Sequence, residues 1–159
     1  MNRVDIGAEG VELPDWAGRA AEFAAAVCDK LSCDNWDISV LFCNDGFIRG
    51  LNRRFRGKDE PTDVLSFPLG ETLTEDGERR YASGDIVISL ETLASNSKAF
   101  NVDEDEELRR LLIHGILHLK GYDHATNSPE EEMLLLQERL LKGSRPVGYT
   151  HCLHGENNA

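Results

Sequence analysis

The sequence predicts an α+β fold, a small sheet with helices segregated around it. Three observations predict it. Ile38, Val40 and Phe42 alternate with more polar neighbours, the period-2 pattern of a strand. Short apolar runs at residues 64–69 and 86–90 are bounded by turn-forming or polar stretches. Other segments, at residues 16–31 and 103–120, place apolar side chains three and four positions apart, as a helix does.

The elements follow in chain order. Residues 4–11 read as a weak strand. Pro14 can open a helix, and Trp16, Ala20, Phe23, Ala24, Val27 and Leu31 follow at helical spacing. After the strand at 38–42, Asp45 can cap a helix that buries Phe47, Ile48, Leu51 and Phe55. Residues 56–63 are loop by composition. Pro68 places the strand at 64–69 at a sheet edge or strand end. Residues 71–83 are polar, contain Gly77 and read as a mobile connection. Ser89 can cap a helix ending near Phe100. The long helix of 103–120 carries Leu108, Leu111, Leu112 and Leu119. Ser128-Pro129-Glu130-Glu131 combines a cap, a proline and first-turn acids, and so starts a helix. That helix buries some of Met133, Leu134, Leu136, Leu140 and Leu141.

A chain of 159 residues with 40% hydrophobic residues suits one domain with one core. Apolar content falls after Gly143, so a single domain is expected over 1–143 and a flexible tail over 144–159. His151 and His154 lie in that tail, where weak metal binding is the alternative to fraying. No apolar run approaches the roughly 20 residues that cross a bilayer. The first residues lack the apolar core of a secretory signal, so a cytoplasmic protein with no membrane partner is expected. Cys28, Cys33, Cys43 and Cys152 show no C-x-x-C spacing and are expected as reduced thiols, Cys28 and Cys43 in the core.

The net charge of −12 excludes a protein that coats nucleic acid nonspecifically, and no DNA partner is expected. The charge is nevertheless uneven. Arg49, Arg53, Arg54, Arg56 and Lys58 fall within ten residues, and such a patch can hold one phosphate chain at one place. The acidic runs at 103–107 and 130–132 read as solvated faces.

Function is concentrated in residues 114–124. His114 and His118 are one helical turn apart and share a face. Gly121 can end the helix in a left-handed conformation, and the returning chain brings His124 to the same point. Three imidazoles with a fourth position open is the arrangement of a catalytic zinc, not a structural one. The spacing H-x-x-x-H-x-x-G-x-x-H equals that of the metzincin peptidases. Their general-base glutamate, however, is replaced by Gly115, which disfavours peptide hydrolysis. Glycine inside a helix costs about 1 kcal/mol against alanine. Close approach of another backbone or of substrate would offset that cost. Three neutral ligands leave the metal's double charge uncompensated, which favours an anionic substrate such as a phosphodiester. Arg56 is the candidate to grip its phosphate, with an ordinary exposed arginine as the alternative. Asp85 and Asp123 are candidates to orient an imidazole through its far nitrogen. Asp123 serves equally well as a turn residue. Ser66 is a candidate to line the groove.

On these residues the chain resembles the YbeY family, bacterial endoribonucleases of ribosomal RNA maturation. Four segments carry the resemblance. They are Asp45-Gly46-Phe47-Ile48-Arg49-Gly50-Leu51-Asn52, the stretch from Arg56-Gly57-Lys58-Asp59 to Leu65-Ser66-Phe67-Pro68, Gly84-Asp85-Ile86-Val87-Ile88-Ser89, and residues 114–124. The resemblance implies one Zn²⁺ on His114, His118 and His124, a role for Arg56 in activity, and a small mixed sheet beside a zincin-like metal helix. It implies single-stranded RNA as substrate and a role in small-subunit (16S) rRNA 3′-end maturation and ribosome quality control. The implied partners are ribosomal RNA, the small ribosomal subunit and other ribosome-assembly proteins. The nucleophile stays open between water activated at the metal and the RNA 2′-hydroxyl. A non-catalytic, zinc-containing assembly factor is the first alternative function, and a metallopeptidase with its base elsewhere the second.

Overall fold

Alternation along the strands divides the apolar side chains between the two faces of one sheet. In the computed structural model, which describes residues 1–151, the strands are β1 (Arg3–Glu9), β2 (Trp36–Cys43), β3 (Val64–Glu75) and β4 (Glu78–Ser89). They lie in the order β1-β2-β4-β3. The first three in that order are parallel and β3 is antiparallel to β4, so the sheet is mixed, as expected. Helices α1 (Ala17–Lys30), α2 (Asp45–Arg56), α3 (Leu90–Phe100), α4 (Glu104–Leu119) and α5 (Glu132–Lys142) complete the α+β fold.

Ile38, Val40 and Phe42 of β2 and Ile86 and Ile88 of β4 point into the main core. There they meet Ala20 and Ala24 of α1 and Leu108, Leu112 and Ile116 of α4. Their neighbours Cys43 and Val87 face the other way, onto Ile48 of α2. Helix α4 buries Leu108, Leu112, Ile113, Ile116 and Leu117 completely, the all-round burial of a central helix. Gly115 is the residue that presses it onto the sheet. A β-carbon at 115 would lie 2.8 Å from Ile86 Cγ2. The close approach that offsets the cost of this glycine is therefore to a sheet side chain, not to backbone or substrate.

Four expectations are corrected. Residues 71–83 are not a mobile connection but the two arms of a hairpin, with Glu75 paired to Glu78. Asp76 and Gly77 both take positive φ, 51° and 80°, as a type I′ turn requires. Arg80 anchors the hairpin, its buried side chain bonded to Asp37 and to the Met1 and Trp36 carbonyls. The cap of α2 is Asn44, which accepts from Phe47 N at 2.9 Å. Asp45 instead accepts from Ser89 Oγ and Thr92 Oγ1, tying the start of α2 to that of α3. Helix α5 begins at Glu132, later than Ser128. Thr126 Oγ1 donates to Glu131 Oε2 at 2.8 Å, and Ser128 closes only a turn onto Glu131 N. Finally, the segment after Gly143 packs against the body as far as Thr150. Val147 is buried, Trp16 Nε1 donates to Thr150 O, and Tyr149 stacks on Trp16. The carboxylate of Asp105 accepts from Val147, Gly148 and Tyr149 N. Cys152 and His154 lie outside the described residues.

Cys28, Cys33 and Cys43 are buried free thiols, and burial pushes those of Cys28 and Cys43 up to about 12. Among the described residues no helix is long and apolar enough to cross a membrane.

Burial alone would raise the Asp105 carboxyl. The donors Tyr149 N, Arg109 and Val147 N overcome that and hold it below the ordinary carboxylate range. A depressed folded pKa gives stability that is full above the unfolded value of about 3.9 and is lost as pH falls through the folded value. Asp105→Ala is expected to cost about 2–3 kcal/mol at neutral pH, because it strands three backbone donors. Urea unfolding should show this gap between wild type and variant closing on acidification.

Candidate metal centre

The end of α4 decides where the third histidine goes. Tyr122 N donates to Leu117 O and Gly121 N to His118 O, both at 3.0 Å. Gly121 takes φ 103°. These two bonds make the helix-ending motif in which a glycine reverses the chain. Among the described residues, one group of side chains is placed to hold a metal ion: His114, His118 and His124, with ligand atoms all within 4.8 Å of one another. The Nε2 atoms of His114 and His118 are 3.1 Å apart.

The far side of each ring fixes which nitrogen can serve. Nδ1 of His114 meets Gln137 Oε1 at 2.6 Å, Nδ1 of His118 meets Tyr122 O at 3.1 Å, and Nδ1 of His124 meets Thr126 O at 2.8 Å. Two of these partners are peptide carbonyls, which only accept. The third is held amide-oxygen-first, because Gln137 Nε2 donates to the Glu138 carboxylate. All three Nδ1 atoms therefore carry the proton, and each Nε2 presents a lone pair inward. Zinc–nitrogen bonds of about 2.0–2.1 Å in a tetrahedron separate ligand nitrogens by about 3.3 Å, close to the His114–His118 spacing. Burial lowers the pKa of His114 and of His118, which keeps these rings neutral and able to ligate at neutral pH. The donor set fits a divalent ion with an open position.

His114 and His118 line a cleft of about 660 Å³ whose lining also includes Arg56, Lys58 and Ser66. The Arg56 side chain is exposed and donates from Nη2 to Ser66 O at 3.2 Å. Ser66 lines the groove, as expected, and its Oγ contacts Gly115 O at 3.5 Å.

Asp85 and Asp123 do not hold the imidazoles. Ile86 faces α4, so the pleat turns the exposed Asp85 to the opposite face of the sheet. Asp123 Oδ1 accepts from His124 N at 2.8 Å, the turn role. His151 meets Glu104 Oε1 and lies outside the histidine group. The residue missed in the sequence is Gln137. It sits on the buried stripe of α5 with Met133 and Leu141, four positions from each. A polar side chain in such a stripe was the available signal.

A three-imidazole group beside a cleft that an arginine also lines, in an α+β domain, is the arrangement of a metal-dependent hydrolase. The family model described as endoribonuclease YbeY matches residues 6–145. Over 142 residues the chain is 51% identical to the endoribonuclease YbeY of Treponema pallidum, covering 89% of each chain. Over 124 residues it is 56% identical to that of Treponema denticola, covering 77% of this chain and 80% of the relative. The solution structure of a Thermotoga maritima protein matches with a TM-score of 0.61 and 32% identity over 87% of each chain. The chain belongs to the YbeY family of endoribonucleases.

Gln137→Ala is expected to weaken zinc binding about 10- to 100-fold, because it releases the His114 ring. Gln137→Glu, which keeps an acceptor at the same place, should retain binding. Competition with a chromophoric chelator measures both.

Proposed function

We propose that the protein is a zinc-dependent, single-strand-specific endoribonuclease acting in small-subunit (16S) rRNA 3′-end maturation and ribosome quality control, in the cytoplasm where ribosomes assemble. The observation that carries this reading is the convergence of three imidazoles on one point beside a cleft that Arg56 also lines. The names of the relatives supply the substrate class, RNA.

His114, His118 and His124 would hold the ion. Zinc bound there supplies Lewis-acid polarisation and a lowered pKa for water. Arg56 grips the scissile phosphate. Among the described residues it forms no ion pair, whereas Arg49 and Arg53 are engaged by Asp59. Its remaining N–H groups are therefore available for two-pronged phosphate binding and for stabilising charge as it develops. Three neutral ligands leave a bound ion's double charge uncompensated, which favours an anionic substrate over a peptide, while Arg56 and Lys58 in the cleft are matched by Glu60 and Asp123. The peptidase reading loses ground for a steric reason as well. A side chain at 115 would strike Ile86, so a glutamate base has no room there. The chain's net charge of −12 makes intrinsic RNA affinity weak, and the small ribosomal subunit with its assembly proteins supplies the remaining binding.

Cleavage of a labelled single-stranded RNA by wild type, His118→Ala and Arg56→Ala tests the proposal. Wild type should cleave and lose activity to a chelator, and His118→Ala should be inactive. Arg56→Ala should fall about 10²- to 10³-fold, with little recovery in Arg56→Lys. Equal cleavage by all would contradict the assignment. No cleavage of naked RNA or of RNA in small subunits would favour the non-catalytic assembly factor.

A further inference from the structure

The apolar stripe of α2 runs through Ile48, Leu51 and Phe55, at steps of three and four. Ile48 is wholly buried under the sheet, but Phe55 is 56% exposed. It is not left free to move. Its ring meets Phe67 of β3 edge-on, with centroids 5.3 Å apart and planes at 68°. Phe67 in turn packs against the smaller core. The guanidinium of Arg54 lies over the Phe55 ring, 5.7 Å from its centre, a cation–π contact a stacked base would share or displace. The next residue, Arg56, reaches Ser66 O, one residue before Phe67. Two successive contacts thus fasten the end of α2 to β3, the outermost strand of the sheet. One is at the cleft wall and the other is just across the strand from it. A flat, half-exposed ring therefore adjoins the arginine that lines the cleft with His114 and His118.

The surroundings select the occupant. Arg54, Arg56 and Lys58 lie beside this ring in sequence and form no ion pair among the described residues, whereas Arg49 and Arg53 are engaged by Asp59, on a chain that is otherwise strongly acidic. A chain of phosphates bearing flat rings satisfies both the cations and the aromatic face, the combination by which single-stranded nucleic acids are held. We propose that Phe55 is the stacking platform for an unpaired RNA base next to the phosphate gripped by Arg56, with Arg54 along the flanking backbone. This inference rests on the ribonuclease reading and names the feature that makes it strand-selective. A base inside a duplex is stacked on its neighbours and cannot offer a face to Phe55, whereas a base in a single strand can.

The test uses the full-length, zinc-loaded protein and a fluorescein-labelled oligoribonucleotide, single-stranded or annealed to its complement, with binding read by anisotropy. Phe55→Leu keeps the apolar contact with Phe67 and removes the ring. It should weaken single-strand binding about fivefold to a hundredfold and leave the weaker duplex binding and the melting temperature nearly unchanged. Phe55→Trp should restore single-strand binding. The proposal is overturned if Phe55→Leu binds the single strand as wild type does, or if it loses duplex binding by the same factor. Normal binding and cleavage of naked RNA, with weakened association with small ribosomal subunits, would also overturn it and make the patch a protein-docking surface. Failure of wild type to cleave RNA would sink the ribonuclease reading itself. Wild-type cleavage with unaltered Phe55→Leu binding would sink only this inference.

Discussion

The metal centre depends on how closely α4 lies on the sheet. At Gly115 the helix presses onto Ile86 with no room for a β-carbon, and the hydrophobic contacts of Leu108, Leu112 and Ile116 hold it there. That approach fixes the height and rotation of the helix. His114 and His118 flank Gly115 in sequence and share the face that meets the cleft. Because the scaffold is a largely buried helix and not a loop, the two imidazoles keep one geometry, as a metal site requires. The glycine that a sequence comparison with peptidases marks as a lost catalytic residue is the residue that positions the ligands.

A ring of hydrogen bonds outside the imidazoles converts this placement into chemistry. Carbonyl oxygens of Tyr122 and Thr126 and the amide oxygen of Gln137 take the three Nδ1 protons. Gln137 is steadied by Glu138, which pairs with Arg110, and Arg110 also binds Glu106 and the buried Glu107. Glu106, Glu107 and Glu138 are thus consumed by one arginine behind the site. The inner ring stays neutral, so its ligands leave a bound ion's charge uncompensated; in the cleft Arg56 and Lys58 are matched by Glu60 and Asp123.

The part of this arrangement that was legible in the sequence is local. Helical spacing places His114 beside His118, and a glycine two residues past the helix returns the chain to His124. Both statements need only the backbone geometry of a dozen residues. The partners of those histidines are not local: Gln137 lies 23 residues from His114 and meets it through the packing of α5 on α4. Asp85 is excluded by alternation once Ile86 is known to face α4, which the apolar run at 86–90 does not itself reveal. The hairpin of β3 and β4 was also written locally, in Asp76-Gly77, but its flanking strands are so polar that composition outweighed the turn signal. The start of α5 fails the other way. Ser128-Pro129 is a sound local signal, overridden because the chain up to Glu131 is engaged in the turn that carries His124. Likewise Val147 and Tyr149 are held to the body by a carboxylate some forty residues earlier, which no window of sequence reveals.

Three imidazoles converge where a bound ion would keep one position open. Zinc K-edge X-ray absorption on the zinc-loaded protein, with and without a competing anion, measures that most directly. The account predicts three imidazole nitrogens at about 2.0–2.1 Å and one light-atom ligand that the anion replaces. A sulfur ligand, or a closed shell of four protein ligands indifferent to the anion, would contradict it.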